Sequence, residues 1–283
     1  MYSVLQNVVC EGDNMKKSNL VKAFAVMAIM TAGAFFAGCA NPSDGSGSSA
    51  GGTSGGSTGG SGTFGTKAPG VAKAVGDIVF NDGSATPYTA TLTLTPEQKA
   101  AAIAVIFKVD GGKALGVGLK HYKNGLAWCT TDAKAYDKNI TAIQCHASGN
   151  TGDTDGSDNL EQIATFLTEK GLVNDTAETA KYPAFYFAKN YKTTATNLTA
   201  TYENGWYLPT VVELFDIWKV KATVDAASNL CGGSQFGDRS YWSSSQYDSL
   251  DLDACNFGFS YEDWGYCIKN AISNDVCAIR AFN

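Results

Sequence analysis

Between residues 41 and 70 the chain cannot build a core. That stretch holds 11 glycines and 7 serines in 30 residues, so it has much backbone entropy to lose and little apolar surface to bury in return. A run of this kind behaves as a flexible coil with a typical reach of about 30 Å. It separates an N-terminal segment from residues 71–283, which are 213 of the 283 residues and a suitable length for one domain. The glycine excess is therefore local. Of 31 glycines, 20 remain in the other 253 residues, an ordinary level. A hydrophobic content of 44%, with 11% aromatics, leaves apolar mass for a core.

The N-terminal segment reads as an address. In residues 15–39, Lys16, Lys17 and Lys22 form a positive region before a mostly apolar run from Leu20 to Phe36. Met15 directly precedes the lysines, so it is the expected start and residues 1–14 an upstream extension. The segment closes on Phe35-Phe36-Ala37-Gly38-Cys39, which resembles a bacterial lipobox: small residues suit a narrow peptidase pocket before a thiol that takes a diacylglycerol thioether. An ordinary secretory signal or a single membrane span are the alternatives. The apolar stretch is only about 17 residues, the lower limit for a span, and a cysteine followed at once by a tether fits lipidation better. The mature chain is expected to begin at Cys39 and to be held by acyl chains in the bacterial cell envelope, exposed on the outer surface of the outer membrane.

Charge argues against nucleic acid as a partner. Lys and Arg number 21 against 27 Asp and Glu, a net charge of −6, and no basic cluster follows Lys22, whereas a phosphate-binding surface needs a basic stripe.

The first half of the domain alternates short strands and helices. Strands are expected over residues 77–80, 89–94, 102–109 and 113–119, with Asn81-Asp82-Gly83 as a turn. Thr95-Pro96-Glu97-Gln98 is a helix start with a capping box. Asp158 with Glu161 opens a second helix that Gly171 ends, its apolar face formed by Leu160, Ile163, Ala164, Phe166 and Leu167. Thr210 with Glu213 opens a third. From Cys231 onward the character changes. Residues 231–283 carry ten aromatics and seven acids against three bases, with no helical period, and read as short strands and loops.

Few residues here suit catalysis. The two histidines, His121 and His146, stand in no metal-ligand or Ser-His-Asp pattern and read as surface or hydrogen-bonding residues. Asp153 to Asp158 looks like half a calcium loop with the wrong spacing. It reads as a turn and helix cap, with a surface calcium site completed by distant oxygens as the alternative. Six cysteines follow the tether, at 129, 145, 231, 255, 267 and 277, and an even count in an exported chain favours disulfides. Six allow 15 connectivities. Cys129–Cys145 and Cys231–Cys277 are plausible pairs, with Cys255 and Cys267 bridging or free. No Cys-x-x-Cys supports a redox or metal pair. No metal and no cofactor is expected.

The run Gly205-Trp206-Tyr207-Leu208-Pro209-Thr210-Val211-Val212-Glu213-Leu214 resembles the Gly-Trp-Arg-Leu-Pro-Thr-x-x-Glu signature of C-type lectin folds of the formylglycine-generating-enzyme type, with Tyr207 in place of Arg. Tyr241-Trp242-Ser243-Ser244-Ser245 and the ending Val276-Cys277-Ala278-Ile279-Arg280-Ala281-Phe282 add to it. With the lipobox, the chain is similar to the treponemal variable lipoproteins, products of diversity-generating retroelements, over about residues 76–282.

The resemblance implies an α+β chain with a C-type lectin fold, helices around a small irregular antiparallel β core. It also implies a ligand-binding face in a variable region of about 234–275. Retroelement templates are randomised at adenines, typically in Asn codons, which cannot yield Gln246, Glu262, Trp264 or Lys269; these are expected to be fixed. The expected scaffold also includes Trp206, Leu208, Pro209, Trp242 and Arg280. Diversified candidates that would be strange as core are Asp238, Arg239, Asp248, Leu250, Asp251, Asp253, Cys255, Gly258, Tyr261, Asp263, Tyr266, Cys267, Ile268, Ala271 and Ile272.

Calcium-dependent sugar binding is disfavoured, because Glu-Pro-Asn, Gln-Pro-Asp and Trp-Asn-Asp are absent. The expected function is that of a monomeric, lipid-anchored binding protein for an unknown protein or cell-surface ligand, and not an enzyme. A modifying enzyme or oxidoreductase on the related fold, and an invariant adhesion lipoprotein, are the alternatives. The acidic C-terminal segment favours a basic or hydrogen-bonding partner.

Overall fold

The apolar run that opens the domain is a strand buried on both faces. A computed structural model describes residues 62–145 and 152–282. In it, β1 (Asp77–Phe80), β2 (Ala85–Pro87), β3 (Ala102–Asp110), β4 (Lys113–Gly118) and the C-terminal β9 (Ile279–Phe282) form one antiparallel sheet in the order β2-β1-β3-β4-β9. Along β3, Ile103 and Ile106 point into one apolar cluster while Val105 and Phe107 point into another. A continuous apolar stretch is what a strand between two layers requires. Gly111 and Gly112, both at positive φ, make the tight turn to β4.

A second sheet is built from β5 (Gln144–Cys145), β6 (Ser240–Tyr247), β7 (Asp253–Gly258) and β8 (Asp263–Ile268), in the order β5-β6-β7-β8. β6, β7 and β8 run antiparallel, and β5 lies parallel to β6. Among the described residues five α-helices accompany the sheets: α1 (Pro96–Ala101), α2 (Asn159–Glu169), α3 (Pro183–Lys189), α4 (Val211–Lys219) and α5 (Lys221–Leu230). The architecture is α+β. Among the described residues no helix is long and apolar enough to cross a membrane.

Two helix starts follow from local chemistry. Thr95 accepts from the Gln98 amide and Gln98 returns a bond to Thr95; Thr210 and Glu213 do the same for α4. Gly171 sits at φ +66 just past α2. Asp158 does not cap α2 through its side chain; Asp155 caps the preceding 3-10 turn (Gly156–Asp158) instead.

Other expectations are corrected. Residues 89–94 form a turn and extended loop rather than a strand: both edges of β1 are taken by β2 and β3, and neither sheet includes these residues. Residues 63–70, assigned by composition to the tether, pack on the domain. The Phe64 amide donates to Asp82 at 2.9 Å, Lys67 pairs with Ala85, and the Phe64 ring lies 6.1 Å from Phe80. α3 and α5 went unread in the sequence. The bridge is Cys145–Cys255, not Cys129–Cys145 or Cys231–Cys277. Cys129, Cys231 and Cys277 are free and buried, and Cys267 is disulfide-bonded too. Residues 15–39, with the lipidation candidate Cys39, and His146 lie outside the described residues.

Candidate functional site

The second sheet carries the candidate face, and its inner side is unusually polar. Ser243, Ser244, Ser245 and Gln246 on β6 are fully buried. Each serine is used. Ser243 donates to the Cys255 carbonyl at 2.7 Å, Ser244 accepts from Asn159 Nδ2 at 2.8 Å, and Ser245 accepts from the Val211 amide at 3.1 Å at the start of α4. Small hydroxyls let α4 approach the strand while satisfying buried donors.

A hub behind the 248–252 loop is built from the two residues at the ends of the expected fixed set. Lys269 is buried, and its Nζ donates to the carbonyls of Ala135 (3.0 Å), Tyr136 (3.2 Å), Lys138 (3.0 Å) and Asp251 (2.7 Å), over the Trp128 ring at 5.2 Å. Burial pushes its pKa down to about 8. Gln246 donates to the Lys138 and Asp251 carbonyls and accepts from the Ile140 amide. The loop is thus fastened from below by side chains that never reach solvent.

The fifteen candidates divide by exposure. Asp238, Arg239, Leu250, Asp251, Tyr261, Asp263 and Ile272 are exposed. Ile272 is 71% exposed and Tyr261 63%. Asp248, Asp253, Tyr266 and Ile268 are half-buried. Cys255, Gly258, Cys267 and Ala271 are buried, contrary to the expectation that such residues would be strange as core. Cys255 and Cys267 are held in disulfides. A Cβ on Gly258 would stand 3.0 Å from the Tyr261 ring, and Ala271 packs in the core.

Arg239 is exposed yet engaged. Its Nη2 and Nε donate to the buried Asp275 at 3.0 and 3.2 Å, a forked pair that makes it part of the frame. Beside it Tyr241, buried, takes a hydrogen bond from Lys123 and meets His121 Nδ1 at 2.9 Å. Desolvation drives the His121 pKa down to about 3, so this imidazole is neutral. The rings of Tyr247 and Tyr266 stack at 4.3 Å, with Trp264 at 5.8 Å from Tyr247, giving a half-buried aromatic surface next to the loops.

Of the scaffold set, Trp206, Leu208, Pro209 and Trp242 are buried, and Trp264 and Arg280 half-buried. The Arg280 guanidinium lies over the rings of Tyr202, Trp206 and Phe282 at 4.9 to 5.7 Å. Tyr207, in place of Arg, donates to the buried Glu213 at 2.8 Å. Leu252, 40% exposed, belongs to the same loop and was missed, although it continues the Leu-Asp alternation of 250–253.

Among the described residues no group of three or more His, Cys, Asp and Glu side chains could hold a metal ion. Asp153 and Asp155 are used locally, accepting from Asn159 and Ser157. The free thiols of Cys129 and Cys231 are pushed up to about 12 by burial, and that of Cys277 is also raised. Such thiols are poor nucleophiles.

No family model matches the chain, and no curated protein is similar to it. Among solved structures it resembles a fimbrial protein from Bacteroides ovatus, with a TM-score of 0.50 and 11% identity. The likeness covers 74% of this chain and 48% of that one, so the chain spans about half of its neighbour's length. At this identity it is a likeness of fold alone.

Proposed function

We propose that this is a surface-displayed, lipid-anchored binding protein. Its C-terminal region, on a C-type lectin fold of the formylglycine-generating-enzyme type, is diversified by a retroelement to change what it binds. The observation that carries the reading is the contrast between Gln246 and Lys269, buried beneath the 248–252 loop, and Leu250, Tyr261 and Ile272, exposed above the frame. Isolated exposed apolar residues gain no stability from their position. As contacts of a recognition surface they supply area and shape, with Tyr doing so at low entropy cost.

In this reading the frame stays rigid and the side chains vary, so affinity comes from complementarity without reordering. The acids Asp251, Glu262 and Asp263 on the same loops favour a basic or hydrogen-bonding protein surface. The buried thiols weigh against chemistry by an accessible cysteine pair.

Sequencing the coding segment for residues 231–283 across a cell population tests the diversification. Substitutions confined to adenines of a nearby near-copy, beside a reverse transcriptase gene, are expected. An invariant segment with no such copy overturns diversification and leaves the invariant adhesin.

A further inference from the structure

One cleft is lined by none of the fifteen candidate positions. It is a 540 Å³ depression between α2, α3 and residues 204–208, inside the range of sites for small ligands, about 300–1,000 Å³. Its floor is Trp206, Phe185 and Leu208, with Leu160 and Ala164 of α2 on one side.

The walls are held in place before any ligand arrives. The Trp206 Nε1 donates to the Tyr202 carbonyl at 2.6 Å, and its ring packs 4.3 Å from Tyr191. Phe185 meets Trp128 edge-on at 4.9 Å. Tyr186 donates to the Thr176 carbonyl at 2.7 Å. Gly156 closes one end; a Cβ there would stand 2.5 Å from the Leu208 carbonyl oxygen, so α2 approaches the strand-like segment only because this residue is glycine. A preformed lining that joins apolar residues to polar ones such as Ser157, Thr176 and Asn204 suits an amphiphilic ligand.

Two opposite charges line the cleft from different helices. Glu161 comes from the first turn of α2 and Lys189 from the last residue of α3. Among the described residues neither forms an ion pair; the Lys189 ammonium lies over the Tyr186 ring at 5.6 Å.

We propose that this cleft is a binding site for a short peptide with both termini free and a large apolar side chain. The side chain lies on Trp206 and Phe185, the α-ammonium faces Glu161 and the carboxylate faces Lys189. No bond is made or broken. The site is independent of the variable face, so each proposal can fail without the other.

Isothermal titration calorimetry on the full chain tests it, with the dipeptide Phe-Leu and its N-acetyl, C-amide form as probes. Saturable binding of the free dipeptide is expected, with about tenfold loss for the capped form and for each of Glu161→Gln and Lys189→Met. Both residues are exposed, so these variants keep the fold, as circular dichroism will show. Ala164→Trp, which fills the cleft, is expected to abolish binding. Equal binding of free and capped dipeptide, binding unchanged in both charge variants, or no saturable binding up to about 1 mM overturns the proposal.

Discussion

Lys269 and Gln246 donate to the same two carbonyl oxygens, those of Lys138 and Asp251. Two side chains from different strand ends therefore fasten one loop to another through shared acceptors. Replacing Lys269 by Met leaves the Ala135 and Tyr136 carbonyls without this donor. A loss of about 2–4 kcal/mol in urea unfolding is expected. Because the two residues share acceptors, Gln246→Ala and Lys269→Met should be non-additive in a double-mutant cycle, by about 0.5 kcal/mol or more. Simple additivity would mean that the hub is not one unit.

Glu213 makes stability fall with pH. Desolvation raises its pKa from 4.5 to about 7 in the fold. The native state therefore holds a proton that the unfolded chain has released. The stabilising contribution is complete below pH 4.5 and is lost as pH rises through 7, by up to about 3 kcal/mol. Thermal melts between pH 4.5 and 7.5 should show a downward trend in the wild type that is reduced in Glu213→Gln.

The Cys145–Cys255 bridge closes a sequence separation of 110 residues and joins β5 to β7. Long loops lose the most unfolded-state entropy on closure. Cys145→Ser with Cys255→Ser should cost about 2–4 kcal/mol, read as a lower melting temperature than that of the oxidised wild type.

The candidate positions should separate cleanly on stability. Leu250→Ser, Tyr261→Ser and Ile272→Ser are exposed changes, expected within about 0.5 kcal/mol of wild type. Ala271→Asp places a charge in the core and should cost about 3 kcal/mol or more. Chemical denaturation of the four variants measures this. A costly Ile272→Ser would give that residue a structural role.

Glu262, in the turn between β7 and β8, is the non-glycine residue at positive φ, +59°, among the described residues. The left-handed conformation costs a residue with a Cβ about 1 kcal/mol. Glu262→Gly is expected to raise stability slightly, by about 0.5 kcal/mol, since glycine also has more unfolded-state entropy to lose. A destabilised variant would show that the Glu262 side chain contributes more than the strain costs.

Much of the frame was legible because it is local. Thr95 and Thr210 announce helix starts by pairing with a residue three places on, and Gly83, Gly111 and Gly171 supply backbone conformations that few other residues adopt. The double-faced burial of β3 is readable in its uninterrupted apolar run. α3 was missed although Pro183 stands at its first position, because a seven-residue helix gives barely two turns of period. The Thr89–Leu94 alternation misled because periodicity describes one strand and says nothing of whether a neighbour is free to pair.

The candidate face was only half legible. Leu250, Tyr261 and Ile272 are exposed, whereas Ile268, which reads as equally exposed in the sequence, is half-buried. Cys255, Gly258, Cys267 and Ala271 alternate in sequence with those surface positions and yet are buried. Ser243 to Ser245 form part of the interior despite their polarity, because their hydroxyls find partners on α2, α4 and β7.

By itself the sequence determined where the helices with capping boxes begin and that residues 102–109 form a strand. Each depends on neighbours within a few residues or on composition. Only the tertiary structure decided which cysteines meet, which serines are interior and that Lys269 is held by four carbonyls from two loops. Those outcomes depend on groups from 12 to 134 residues apart, and a buried polar atom is stable only when its distant partners arrive together.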